Sequence, residues 1–292
     1  MNLSLGTAQL APDYGVKDRA IQLTASDLTK IITGEVGPPP HSVDTAQSYE
    51  NAHSILRACP QTGFEIRTKI SLGADCVLDS SLITLLRTRV REVIDTLYPH
   101  KIKTIYIHDI DRHLPRFELI IETLMSVCQD YSIPEVGISS YNIATLERLR
   151  KDKHRGLRIQ FPLNIFDRRL LNWVHISGAA TDYNFSIRSV FLQGLLLERL
   201  KPRGSLKKYS GLLSDYFEVV DSLGVTPLNF CLDYVRSIEW IDEIIIGVKS
   251  VMEYAEVQSN LGRSTKGVHY GNLVGASTDN GLINPTNWSC FE

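Results

Sequence analysis

No stretch of this chain is long and apolar enough to span a bilayer, so a membrane protein is not expected. Charge of one sign is also missing. The 31 Lys and Arg stand against 33 Asp and Glu, a formal net of −2. That balance gives no electrostatic footprint for nucleic acid or for an anionic lipid surface. Cysteine is sparse and unpatterned: Cys59, Cys76, Cys128, Cys231 and Cys290 are odd in number and widely spaced, with no Cys-x-x-Cys. Reduced thiols in a cytoplasmic protein are the expectation. The first residues, Met1 to Gly6, carry neither the basic segment nor the apolar core of a secretory signal, and none is expected. No strand is followed by Gly-x-Gly-x-x-Gly, which counts against an open dinucleotide-binding sheet. No second histidine cluster accompanies His108, Asp109 and Asp111, so no metal centre is expected.

What is present is an ordinary globular composition, 43% apolar and 22% charged. Short apolar runs alternate with helix-like stretches. Strands are predicted at Leu3–Ala8, 42–43, 64–68, 103–107, 134–138, 157–161, 187–191 and 243–247. Helices are predicted at 26–33, 51–57, 81–97, 115–129, 142–150, 166–174, 212–223, 226–236 and 251–261. The clearest is Ser81 to Leu97, whose Leu82, Leu85, Leu86, Val90, Val93, Ile94 and Leu97 form one stripe, with Arg87, Arg91 and Asp95 facing away. Pro12, Asp13 and Gly15 mark a polar turn, and Pro115 suits a first helical position. Most strand-to-strand gaps match one βα unit, and eight such units predict an α/β protein of one domain, a (β/α)8 barrel over residues 1–292. The segment 262–292 is left as an irregular tail.

In such a barrel the chemistry sits at the carboxyl ends of the strands. Four residues of suitable chemistry fall at or near those ends: Asp44, Tyr49 five residues on, Lys69 and His108. A free phenol titrates near ~10. A neighbouring ammonium is expected to pull it down, a carboxylate to hold that ammonium, and an imidazole to orient a carbonyl oxygen.

These residues and their order resemble the aldo-keto reductase family. Leu5-Gly6-Thr7 resembles its first strand, and Asp44-Thr45-Ala46 with Tyr49 its signature. Thr68-Lys69 and Ile107-His108 match its Lys and His positions, and Gly137-Ile138-Ser139 its Gly-Val-Ser turn. The run from Arg188 to Leu196 resembles bacterial members from surface-polysaccharide and sugar-biosynthesis gene clusters. The resemblance implies NADPH or NADH across the barrel mouth and a small-molecule carbonyl substrate. Tyr49 would be the general acid, tuned by Lys69 and Asp44, with His108 positioning the carbonyl. It places Gly6, Thr7, Asp44, Ser139, Gln160, Arg188, Ser189, Phe191, Gly194, Gly247, Lys249, Ser250 and Asn260 at the cofactor. Lys249 and a phosphate on the helix start near Ser250 favour NADP.

Departures from the family pattern are Ser140 in place of Asn, Arg188 in place of an aromatic, and Glu50-Asn51-Ala52-His53 after the tyrosine. The last is expected to reshape the substrate-side loop. Two other functions stay open: a cofactor-binding regulatory protein with little turnover, and an enzyme using the cofactor for elimination or epimerisation.

Overall fold

The computed structural model describes residues 1–10, 23–60, 63–73, 81–151, 154–199, 201–261, 270 and 273–288. The expected turn at Pro12, Asp13 and Gly15, Cys76, Cys290 and much of the tail lie outside them. Eight parallel strands close into a barrel in chain order: β1 (Asn2–Gly6), β2 (Ser42–Asp44), β3 (Glu65–Ile70), β4 (Ile102–Ile107), β5 (Glu135–Ser139), β6 (Arg158–Pro162), β7 (Asn184–Arg188) and β8 (Glu243–Gly247). β8 returns to β1, with Gly6 opposite Gly247, so the sheet has no open edge. Helices α1 (Ala25–Ile32), α2 (Ala52–Ala58), α3 (Leu82–Leu97), α4 (Phe117–Asp130), α5 (Ile143–Lys151), α6 (Arg169–Ser177), α7 (Ser210–Ser222), α8 (Pro227–Arg236), α9 (Val251–Leu261) and α10 (Asn280–Ile283) complete the described elements.

Local chemistry accounts for several of these boundaries. Thr24 and Asp27 cap α1 reciprocally: Asp27 N–H donates to Thr24 Oγ1 at 3.0 Å, and Thr24 N–H to Asp27 Oδ2 at 3.3 Å. Thr226 Oγ1 accepts from Asn229 N–H at 3.2 Å, and Pro227 opens α8. In the predicted stripe of α3, Leu82, Leu86, Val90, Val93 and Leu97 are buried, while Leu85 and Ile94 lie partly buried at its edge. Gly137 in β5 is fixed by space, since a Cβ there would lie 2.5 Å from the Tyr106 ring and 2.4 Å from Arg158 O.

Three expected boundaries move. The seventh strand covers Asn184–Arg188, not 187–191, because Ser189 turns to φ 60° and breaks the ladder. Pro162 does not stop β6; it is its last residue and pairs with Arg188. Pro115 sits in a 3₁₀ turn, Leu114–Arg116, ahead of α4 rather than inside it.

The apolar core lies between barrel and helices, while the barrel's floor is polar. Arg67, 3% exposed, donates to Glu243 Oε1 (3.2 Å), Glu135 Oε2 (2.6 Å), Thr104 Oγ1 (2.5 Å) and Glu65 Oε2 (3.1 Å). Glu243 also accepts from Ser42 Oγ (2.5 Å) and Ser186 Oγ (2.9 Å), and Arg158 Nε donates to Glu135 at 2.9 Å. Burial would raise the Glu135 carboxyl, but hydrogen bonds from Arg158 and Thr104 and the nearby guanidinium charges overcome it and hold the group at about 2.

Candidate active site

At the opposite end, the strand ends and their loops enclose a cavity of about 750 Å³, within the range of ligand and cofactor sites. Asp44 ends β2, and Lys69 is the penultimate residue of β3 rather than the residue after it. His108 directly follows β4. Parallel pairing brings these strand ends to one rim. Lys69, 1% exposed, donates to Asp44 Oδ1 at 2.5 Å and to Thr45 O at 2.9 Å. Gln160 Nε2 donates to the other oxygen of Asp44 at 2.7 Å, and Ser139 Oγ donates to Gln160 Oε1 at 3.0 Å. The result is a fixed chain: Ser139, Gln160, Asp44, Lys69. Burial draws Asp44 up and Lys69 down, and their mutual attraction opposes both shifts.

Tyr49 stands over this chain. Lys69 Nζ lies 5.3 Å from its ring centre, and the His108 ring meets it edge-on at 6.1 Å. Tyr49 and His108 both line the cavity. Among the described residues, the Tyr49 hydroxyl has no hydrogen-bond partner. The expected acidification of this phenol is not found. Burial, and after it the Asp44 charge, hold it above the ordinary phenol range, with Arg188 opposing. The Lys69 ammonium meanwhile is paired with the Asp44 carboxylate 2.5 Å away. His108 is lowered to about 4 by burial, then by Lys69 and Arg188, and so is neutral above that pH. Its Nδ1 lies 3.5 Å from Ser48 Oγ.

Of the residues expected at the cofactor, Gly6, Asp44, Ser139, Gln160, Arg188, Ser189, Phe191, Gly194, Gly247 and Lys249 line this cavity. Three do not. Thr7 lies past the end of β1, its N–H and Oγ1 both donating to Asp44 O (2.9 and 3.0 Å). Ser250 Oγ accepts from Glu253 N–H at 3.2 Å, and Asn260 Nδ2 donates to Glu256 O at 2.7 Å. Arg188 stacks on Tyr141, its guanidinium 3.8 Å from the ring centre, and donates to Ser140 O at 3.0 Å. His53, the last of the four residues after the tyrosine that depart from the family pattern, stands in α2. It bridges Thr96 Oγ1 (3.1 Å) and Thr68 Oγ1 (3.2 Å) behind Lys69, lowered to about 4 by burial and then by the Lys69 charge.

Asp109 and Asp111 are occupied by the protein itself. Asp109 accepts from Leu72 and Gly73 N–H, both at 3.0 Å, and Asp111 from Ser140 Oγ, Tyr141 N–H and Thr145 Oγ1. Sequence reasoning missed Gln9, Tyr141 and Thr286 on the cavity wall, whereas Glu253 and Glu256, which surround the place where the family has an Arg or Gln toward the adenosine end, do line it. Thr286 comes from the far end of the chain, where no local pattern marks it. Gln9 lies directly against Gly247, where a Cβ would fall 1.8 Å from its Nε2.

Residues 2–263 match the model of the aldo/keto reductase family. The chain belongs to that family. Among solved structures, an aldo-keto reductase from Bacillus halodurans in its holo form is similar at TM-score 0.70 and 17% identity, over 98% of this chain and 95% of that one. A glycerol dehydrogenase from Gluconobacter oxydans is similar at TM-score 0.66 and 17% identity, over 90% and 87%. No curated protein matches the sequence itself. At that identity the structural likeness speaks for the fold, which is the expected (β/α)8 barrel. This aldo-keto reductase is therefore an NAD(P)H-dependent oxidoreductase acting on a carbonyl. No described helix is long and apolar enough to cross a membrane.

Proposed function

We propose that the mouth reduces an aldehyde or ketone, of a sugar or sugar-nucleotide type, with Tyr49 as general acid. One observation carries this reading: the unpartnered Tyr49 hydroxyl and neutral His108 face one cavity above a buried Asp44–Lys69 pair. Asp44 and Thr45 take two of the three Lys69 N–H groups, and the ammonium so held lies 5.3 Å from the centre of the Tyr49 ring. A phenol held above its ordinary range stays protonated at neutral pH, which a proton donor requires. Lys69 then stabilises the charge that develops on it, so the help arrives in the transition state. His108, neutral at working pH, donates a hydrogen bond to the carbonyl oxygen without supplying a competing proton.

The wall fits a dinucleotide. Gly194 leaves backbone bare at the cavity surface, Gln9 covers Gly247, and the buried Gln9 Oε1 has no partner among the described residues. A ribose hydroxyl or an amide would satisfy it. When bound, the reduced nicotinamide supplies the hydride. Gln160, fixed between Asp44 and Ser139, and Arg188, fixed on Tyr141, would hold its ring in place. The buried, free Cys59, Cys128 and Cys231 agree with a reducing cytoplasm.

The test is loss of NADH or NADPH absorbance with a panel of aldehydes and ketosugars, followed by product analysis. Consumption of reduced coenzyme in step with alcohol formation supports the reading. An isomerised product with no net reduction would replace it with epimerisation or elimination. Coenzyme binding without turnover on any carbonyl would favour a regulatory role.

A further inference from the structure

We infer that the far end of this cavity is built for an unphosphorylated adenosine ribose, and that the coenzyme is NADH rather than NADPH. The inference rests on the coenzyme lying across the mouth as proposed above. In barrels of this class, phosphate is held by the loops after the seventh and eighth strands and by a helix start nearby. Here that place is the turn Gly247 to Ser250 and the beginning of α9. Bare N–H groups and the positive end of the helix dipole would make it an anion site. The chain has already filled it. Glu253 Oε2 accepts the Lys249 N–H at 2.7 Å, while Glu253 N–H donates to Ser250 Oγ at 3.2 Å.

Glu253 and, one turn on, Glu256 both line the cavity. Among the described lining residues of this part of the wall, Lys249 is the one cation, and it shares the wall with the carboxylates of Glu253 and Glu256. The other polar side chains of α9 point elsewhere: Gln258 Nε2 donates to Pro38 O at 2.9 Å, and Asn260 Nδ2 to Glu256 O at 2.7 Å. Arg188 is committed to Tyr141 and Ser140, beside Tyr49. A carboxylate accepts hydrogen bonds from a ribose diol, the usual way an NAD site reads its ligand. A phosphomonoester carries a charge of about −1.5 to −2 at neutral pH and would be set against two more negative charges. The expectation that Lys249 and Ser250 receive a 2′-phosphate is thereby reversed.

The experiment is titration of the full-length protein with NADH and NADPH, followed by intrinsic fluorescence. NADH should bind at least about tenfold more tightly. ADP and 2′,5′-ADP probe the adenosine end alone, and ADP should bind more tightly than its 2′-phosphorylated counterpart. Glu256→Gln, which leaves the α9 cap in place, should tighten NADPH by at least about threefold, and Glu253→Gln with Glu256→Gln by more. Equal or tighter binding of NADPH by the unaltered protein would overturn the inference while leaving the carbonyl-reductase reading intact. Failure of both coenzymes and both adenosine fragments to bind would overturn the two together.

Discussion

The barrel buries charge at both ends, and the two ends treat it differently. At the floor, Arg67, Arg158, Glu135 and Glu243 are linked to one another and to three hydroxyls. At the mouth, the chain from Ser139 to Lys69 is as tightly joined, but it ends beneath a phenol and an imidazole that face open space. The floor is a closed network, whose members specify the interior at a desolvation cost. The mouth keeps one donor in reserve. Stability and reactivity are thus drawn from similar residue types, separated by a few residues along each strand: Arg67 points to one end and Lys69 to the other, both from β3.

Substitutions can break that division at either end. The largest effect is expected at the phenol. Tyr49→Phe should lower kcat/KM by roughly 10²–10⁴-fold, while coenzyme titration by fluorescence stays unchanged. Retained turnover would mean that another group gives the proton. Next comes the floor. Glu243→Leu leaves Arg67 short of a partner at 3% exposure, and unfolding in urea should show a loss of about 3–5 kcal/mol. The protein that remains folded should keep most of its turnover; a matched collapse of kcat would show the two ends to be coupled.

The pH dependence should separate the ends more gently. His108 lies near 4, so kcat/KM should hold level through the usual histidine range and fall only as pH drops toward about 4, where the imidazole gains a proton. An acid limb near ~6.5 would contradict this. Glu135 sits at about 2 in the folded state, below its unfolded value. Its stabilising contribution is therefore full above the unfolded carboxyl pKa of ~4.3 and is lost as pH falls toward the folded value. Urea midpoints across that acid range should decline, and Glu135→Gln should flatten the decline. The smallest effect is predicted for Arg87→Ala. Its partner Asp130, at 2.5 Å, and Arg87 itself are about half exposed, so less than about 1 kcal/mol should be lost.

The mouth was more legible in the sequence than the wall that surrounds it. Asp44, Lys69 and His108 declare themselves because each falls at or just past the end of a short apolar run, and parallel pairing then brings strand ends together whatever the loops do. The register of β7 was not legible. Val190, Phe191 and Leu192 continue the apolar run, and only backbone angles show that Ser189, Leu192 and Gln193 have turned left-handed. Nor does composition reveal that Lys69 would be bound up in a buried ion pair with Asp44, beneath a Tyr49 that burial and the Asp44 charge raise. That depends on a distance of 2.5 Å between residues 25 positions apart. Thr286 as a wall residue belongs to the same class, set by tertiary geometry rather than by local pattern.

The back of α9 has its own consequence. Tyr254 Oη and Gln258 Nε2 both donate to Pro38 O, at 2.6 and 2.9 Å, so the Gly- and Pro-rich connection between α1 and β2 clasps the helix from behind. Pro38, Tyr254 and Gln258 are not among the residues that line the cavity, whereas Glu253 and Glu256 are. The mooring of the helix and its cavity-facing front are thus carried by different residues, so exchanges on the proposed coenzyme face can be made without loosening the clasp or touching Tyr49 and His108.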